Sequence, residues 1–297
     1  MSKSDFSARI IVVVSIGLIA VSFASILIRW CNAPAMAIAF YRLLFASLFF
    51  AIFTGKQAVR EWRTMPRPTF MLGMISGIAL AAHFATWITS LFYTSVASST
   101  VLVSTAPIFV TLGTRFILRE PTRPSLFIGL FIAIIGAVTI TITDIGVGHN
   151  SLRGDLLALG GAIAGSVYFL TGRILRRQLS TSAYVVMSYS VGAFILLISA
   201  FALQIPLTGF SWKVAGMFLL IALIPQVIGH TSFNWALKHL STPTVSVLLL
   251  GEPIGASMLS YFLLDERIEA WTIFGGAVTL VGVGIVLLAE SAKGKDR

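Results

Sequence analysis

The composition of this chain of 297 residues is not that of a water-soluble domain, because 57% of the residues are hydrophobic and only 11% are charged, against about 25% charged in an average soluble domain. The net charge of +10 does not indicate a nucleic-acid partner, since basic residues in a membrane protein mark cytoplasmic loops. The single cysteine, Cys31, excludes disulfides within the chain, a CxxC redox motif and a cysteine-rich metal site.

Ten apolar stretches follow one another along the chain and predict ten transmembrane helices. A span takes about 20 residues, so ten spans leave room only for short loops and tails. Helices are expected because lipid offers no partner to an open strand edge. The stretches are 10–28, 34–53, 69–92, 96–114, 124–143, 154–172, 182–204, 213–236, 243–263 and 270–289. The first is longer than a signal-peptide core, so it is predicted to be retained.

Lys and Arg are distributed unevenly between the two sides of this arrangement. Sixteen of them lie on one side and four on the other, while Arg42 falls within a span. Because basic loops stay in the cytoplasm, both termini are predicted to be cytoplasmic. The expected location is the plasma membrane, as the inner membrane of a prokaryote.

The chain repeats itself at an offset of 146 residues. Identical residues in this register include Pro107 and Pro253, Glu120 and Glu266, Gly129 and Gly275, and Gly136 and Gly282. The halves 1–145 and 146–297 therefore contain five spans each. Because five is odd, the second half enters the membrane from the opposite side. The predicted fold is an all-α membrane protein whose ten helices form two inverted five-helix repeats around a central cavity, as in many secondary transporters.

This pattern resembles the EamA-type branch of the drug/metabolite transporter superfamily over essentially the whole chain. The most specific matching segments are His83-Phe84-Ala85-Thr86-Trp87, Tyr93-Thr94-Ser95-Val96-Ala97, Pro107, Gly251-Glu252-Pro253 and Leu264-Asp265-Glu266. The sequence departs from the family at Arg119-Glu120-Pro121, where Gly-Glu-Arg is usual. The resemblance implies a basket of helices whose central cavity opens alternately to the two membrane faces, in a family that commonly exports amino acids, their derivatives or drugs.

Two charged residues are predicted to lie near the middle of the membrane. Glu252 stands nine residues after Pro243, about 14 Å of helix rise, and such a carboxylate can bind a proton, an amino group or an arginine. Arg42 stands eight residues after Pro34 and needs an acceptor, which could be Glu252, a free backbone carbonyl or a substrate carboxylate. Both are candidate substrate-binding residues. The alternative for Glu252 is a buried carboxyl, neutral or paired with Arg42, that only holds helices together. The alternative for Arg42 is a side chain that snorkels outward or serves as a structural clamp.

Two polar pairs share the spacing of one helical turn. His83 and Trp87 lie on one face of the third stretch, and His230 and Asn234 lie on one face of the eighth. A histidine within the membrane can exchange a proton, and a tryptophan there offers a wall for stacking or cation contacts. All four are candidate substrate-binding residues, with interhelical hydrogen bonding as the alternative.

Pro107 and Pro253 are candidate hinges, because each removes a backbone hydrogen bond within a span at an equivalent position of the two halves. Static kinks are the alternative. Glu120 and Glu266 are predicted to cap the helices that follow them, since a carboxylate complements the positive end of a helix.

These features favour a secondary transporter over other classes of membrane protein. An enzyme is not expected, because no HExxH or GxSxG motif is present, and the absence of GxxxxGK[ST] removes direct ATP hydrolysis. We expect export of small metabolites such as amino acids or related amphiphiles by alternating access, with or without proton coupling. No cofactor or metal is expected. A lipid or lipid-linked flippase and an uncoupled facilitator are the alternatives.

Overall fold

The computed structural model describes residues 3–94, 96–120, 123–142, 151–264 and 270–293. Regular structure in these ranges is helical throughout, and they contain no strand. Each helix pairs its own backbone groups, as a segment surrounded by lipid must.

Helices occupy all ten predicted stretches. Six stretches are single helices and four are interrupted. The helices are α1 (Lys3–Ser22), α2 (Ala24–Trp30), α3 (Ala35–Arg63), α4 (Arg67–Ser90), α5 (Val96–Val103), α6 (Ala106–Phe116), α7 (Pro124–Ile142), α8 (Ser151–Leu175), α9 (Thr181–Ala202), α10 (Trp212–Ile221), α11 (Thr231–Ala236), α12 (Thr242–Leu248), α13 (Glu252–Leu264) and α14 (Ala270–Lys293). A π-helical segment, Ala222–His230, joins α10 to α11, and a 3₁₀ turn, Leu249–Gly251, joins α12 to α13.

Seven helical segments within the described ranges are long and apolar enough to cross a membrane. They are Ala8–Trp30, Ala35–Arg63, Arg67–Ser90, Leu152–Leu175, Thr181–Ala202, Trp212–Ala236 and Thr242–Leu263. Two shorter apolar helical stretches, Pro124–Gly136 and Ile273–Val286, lie in α7 and α14. The protein is therefore an all-helical integral membrane protein.

The most extensive helix contacts join the first half of the chain to the second. Helix α7 packs along α14, α4 along α8 and α3 along α9, and α1 packs against the π-helical segment. The two halves therefore share one packed structure, and the core is built between them.

The contact between α7 and α14 uses glycines from both halves. Gly129 lies against the backbone carbonyl of Gly282, and Gly136 lies against the carbonyl of Gly275. At an offset of 146 residues, Gly129 corresponds to Gly275 and Gly136 to Gly282, so the two contacts are equivalent in the two halves. Backbones this close need residues without side chains, as in many membrane helix pairs.

Replacing Gly282 with alanine should destabilise the protein by about 2 kcal/mol, because overpacking a close contact forces backbones apart. A Cβ at Gly282 would lie 2.6 Å from the carbonyl oxygen of Gly129, where real Cβ atoms are essentially never found. Gly284, on the same helix, has nothing within 4 Å of such a Cβ. Thermal unfolding in detergent should therefore show a lower Tm for Gly282→Ala and no loss for Gly284→Ala; equal Tm values would contradict the packing argument.

Two contacts join helix ends that the sequence assigns to the same side of the membrane. The Arg9 guanidinium carbon is 5.6 Å from the centre of the Trp235 ring, and a Glu61 oxygen accepts a 2.8 Å hydrogen bond from the backbone of Ser180. The first contact joins α1 to the end of α11, and the second joins the end of α3 to the residue before α9. That this end faces the cytoplasm stays a prediction.

Glu120 forms ion pairs that the sequence does not indicate. Its carboxylate contacts Arg177 and lies 3.5 Å from Nε of Arg173. The carboxylate thereby ties the segment before α7 to the end of α8. The equivalent Glu266 lies outside the described residues.

Candidate functional site

Two of the helical stretches are broken at equivalent positions. Helix α5 ends at Val103 and α6 begins at Ala106, while the 3₁₀ turn separates α12 from α13, which begins at Glu252. Pro107 and Pro253 stand in the first turn of the helices that follow these breaks, where a missing N–H is tolerated. The breaks lie where the candidate hinges were predicted, and movement about them remains a prediction.

A cavity of about 60 Å³ lies between the two breaks. It is lined by Val103, Ser104, Ala106 and Pro107 at one break and by Leu249, Leu250 and Glu252 at the other, together with His83, Trp87, Gly165, Phe169, His230 and Ser246. An offset of 146 residues relates Val103 to Leu249, Ser104 to Leu250 and Ala106 to Glu252. A cavity of this size holds a few water molecules, so a solute as large as an amino acid needs a wider conformation.

Four of the six predicted substrate-binding residues meet at this cavity. His83, Trp87, His230 and Glu252 all line it. The rings of His83 and Trp87 stack with centres 6.0 Å apart, and the His230 ring centre is 6.4 Å from that of His83. Two imidazoles and a carboxylate, all able to exchange protons, therefore face one small space.

The orientation of His83 is fixed by a backbone group. Its Nδ1 lies 2.8 Å from the carbonyl oxygen of Gly161. Because a carbonyl only accepts, Nδ1 must carry the hydrogen, and in the neutral ring Nε2 is left as an acceptor. Gly165 allows α8 to approach this ring, since a Cβ there would lie 2.9 Å from Nδ1 of His83.

Arg42 lies beside the cavity without lining it. The residue is fully buried, and its Nε donates a 2.7 Å hydrogen bond to Oε1 of Gln226. The guanidinium carbon is 4.0 Å from the centre of the Phe84 ring and 5.9 Å from that of Trp87. Glu252 is close enough for the two charges to interact, yet within the described chain no ion pair within 4.0 Å joins these two residues.

The π-helical segment positions two of these side chains. Pro225 stands within it, and Gln226 and His230 follow on the side of Arg42 and the cavity. Single π turns occur frequently at functional sites because they displace side chains from the regular helical pattern. Gln226 is not among the residues predicted from the sequence, where its position next to Pro225 is the available signal.

Asn234 lies in a buried tyrosine cluster, and the lining of the cavity does not include it. Its Nδ2 donates to the hydroxyl groups of Tyr168, over 2.7 Å, and Tyr189, over 3.2 Å. Its backbone carbonyl accepts a 3.1 Å hydrogen bond from Nε of Arg176. These contacts are those expected of an interhelical hydrogen-bonding residue, the alternative that the sequence left open for Asn234.

No group of three or more His, Cys, Asp or Glu that could hold a metal ion is found among the described residues. The side chains on the cavity wall offer hydrogen bonding, proton exchange and charge pairing.

The fold and the cavity define an all-helical membrane protein with a polar site at paired helix breaks. The model of the EamA-like transporter family matches residues 8–142 and 152–288. The chain belongs to this family, and the resemblance inferred from the motifs is confirmed.

Relatives with assigned names are also transporters. A protein of Archaeoglobus fulgidus named "Uncharacterized transporter" is 26% identical over 259 residues, covering 85% of this chain and 88% of the relative. A protein of Streptantibioticus cattleyicolor named "Probable terminal-alkyne amino-acid exporter" is 24% identical over 248 residues, covering 82% and 81%. Each matches over most of its length, so the similarity is to whole transporters.

A solved crystal structure has a similar fold. It superposes with a TM-score of 0.78 over 96% of this chain and 98% of that chain, at 15% sequence identity. At this level of identity the likeness is evidence for the fold alone.

Proposed function

We propose that this member of the EamA-like family is a secondary transporter that exports small metabolites, such as amino acids or related amphiphiles, by alternating access. The observation that carries this proposal is the cavity between two equivalent helix breaks, with Glu252, His83 and His230 on a wall that is otherwise mostly apolar. Polar groups at discontinuous helices near the middle of the membrane are the usual form of a transporter site.

The internal correspondence of the two halves supports alternating access. Lining residues of the cavity correspond across an offset of 146 residues, and so do the glycine contacts of α7 and α14. In the arrangement that we propose, ten spans form two inverted repeats, 1–145 and 146–297. Exchanging the conformations of the two repeats would move the opening of the cavity from one face to the other.

The wall of the cavity favours an amphiphilic solute. Trp87, Phe169 and Leu249 are apolar, whereas His83 and Glu252 are polar or charged. Export of amino acids is consistent with the name of the Streptantibioticus relative. Glu252 and the two histidines would carry the proton if transport is coupled. We place the protein in the plasma membrane with both termini in the cytoplasm.

Reconstitution into proteoliposomes tests the proposal. Purified protein should move labelled L-leucine with a rate that saturates, while a labelled phospholipid should redistribute no faster than in protein-free vesicles. Leucine movement against its gradient when a pH gradient is imposed would indicate proton coupling, and movement only down its gradient would indicate the uncoupled facilitator. Redistribution of the lipid without leucine flux would contradict the proposal and favour a flippase.

A further inference from the structure

The guanidinium of Arg42 carries hydrogen-bond donors that no group in the described ranges accepts. Its Nε is occupied by Gln226, but Nη1 and Nη2 are buried and have no partner there. These two atoms present four N–H groups. A buried charge with unpaired donors is costly, so this arrangement is suited to receive an acceptor from outside the chain.

Trp87 adds a donor on the cavity side. Its Nε1 is also buried without a partner among the described residues, and its ring centre is 5.9 Å from the Arg42 guanidinium carbon. Trp87 lines the cavity, whereas the outer nitrogens of Arg42 lie behind this wall. A solute carboxylate would therefore reach these donors only in the wider conformation that an amino-acid solute also requires.

The direction of the guanidinium is fixed by two neighbours. One face packs on the Phe84 ring at 4.0 Å, and the Nε–H is held by the amide oxygen of Gln226. Phe84 is fully buried, as is Gln226. The two outer nitrogens therefore keep a set orientation, and their parallel N–H groups match the two oxygens of a carboxylate.

We propose that Arg42 and Trp87 bind the carboxylate of the transported solute and that Gln226 is the residue that positions Arg42. The identity of this carboxylate as part of a transported solute rests on the proposed function; the binding of a carboxylate does not. Glu252 faces the same cavity without pairing directly with Arg42, so it is free to attract an amino group at the other end of a zwitterion. The substrate class is thereby narrowed to carboxylates with an apolar body, with or without an amino group.

Two probes of equal shape separate a charged acceptor from a neutral one. Thermal stabilisation of the purified protein by 4-methylpentanoate should report a Kd about tenfold or more below that for 4-methylpentanamide, because hydrogen bonds to a charged group are the stronger ones. Gln226→Glu should abolish this preference, since it places a carboxylate of the protein itself against the guanidinium.

A matched replacement and a milder one control for changes in the fold. Gln178→Glu makes the same substitution at an exposed position and should leave the preference for the carboxylate probe unchanged. Trp87→Phe keeps an aromatic wall but removes the N–H, and it should weaken binding of the carboxylate by about tenfold with little effect on the amide. If Gln226→Glu does not fold, the affinity of Trp87→Phe for 4-methylpentanoate is the test of the carboxylate site.

Several outcomes would overturn the carboxylate site. These are equal affinity of the wild-type protein for the two probes, no stabilisation by 4-methylpentanoate, or an undiminished preference for it in the Gln226→Glu or Trp87→Phe variant. Flux of L-leucine and of 3-methylbutylamine, which lacks the carboxylate, separates the two proposals. Equal flux of both would contradict the site while leaving transport intact, whereas carboxylate binding without any flux would contradict transport while leaving the site intact.

Discussion

Replacing Glu252 with glutamine should lower L-leucine flux in proteoliposomes by about tenfold or more, because an amide loses the charge-assisted contact that a carboxylate offers. The side chain lies on the wall of the cavity with His83 and His230. If Glu252 also carries the coupled proton, flux through the variant should no longer respond to an imposed pH gradient.

Glu120→Gln is a suitable control for this experiment. It makes the same substitution outside the cavity, at the end of the bundle, where Glu120 pairs with Arg177 and Arg173. This variant should transport at the wild-type rate. If the Glu252→Gln protein folds and transports with unchanged rate and pH dependence, Glu252 has no role in the transport mechanism.

Replacing Asn234 with leucine should destabilise the protein by about 3 kcal/mol, because a buried hydroxyl left without its partner bears the full cost of its desolvation. Tyr168 and Tyr189 both receive hydrogen bonds from this side chain and are almost fully buried. Thermal unfolding in detergent should show a correspondingly lower Tm.

A double variant tests whether the lost hydrogen bond is the cause. Adding Tyr168→Phe to Asn234→Leu removes both partners of the 2.7 Å bond, which is much less costly than removing one. The double variant should therefore be more stable than the sum of the single effects predicts. Strictly additive losses would show that the Asn234 amide does not stabilise Tyr168. A large loss of leucine affinity in a folded Asn234→Leu protein would show instead that Asn234 contributes to substrate binding.

The positions of the helices could be predicted from hydropathy, because an apolar stretch in lipid must pair its own backbone N–H and C=O groups and therefore forms a helix. The repeat register also identified Pro107 and Pro253, which lie beside equivalent helix breaks. The spacing of His83 and Trp87 placed them correctly on one helical face, and both line the cavity.

Local sequence patterns do not predict the contacts between helices that lie far apart in the chain. Gln226 bonds Arg42 from a position 184 residues further along the chain, and nothing in the spacing of either residue indicates the other. His230 and Asn234 have the same spacing as His83 and Trp87, but His230 ends the π-helical segment whereas Asn234 lies in α11. His230 lines the cavity, while Asn234 contacts the tyrosines of α8 and α9, and the spacing alone does not reveal this difference.

The pairing of Arg42 with Gln226 also has a consequence for biosynthesis. Since 184 residues separate them, ribosomes adding about 5 to 20 residues per second need roughly 10 to 40 s to deliver the partner after Arg42 is made. A charged residue on a lone helix is costly in the centre of a bilayer. Arg42 is therefore without this hydrogen-bond partner while the earlier helices are inserted, and we expect its burial in the membrane to be completed only after the eighth stretch has been made.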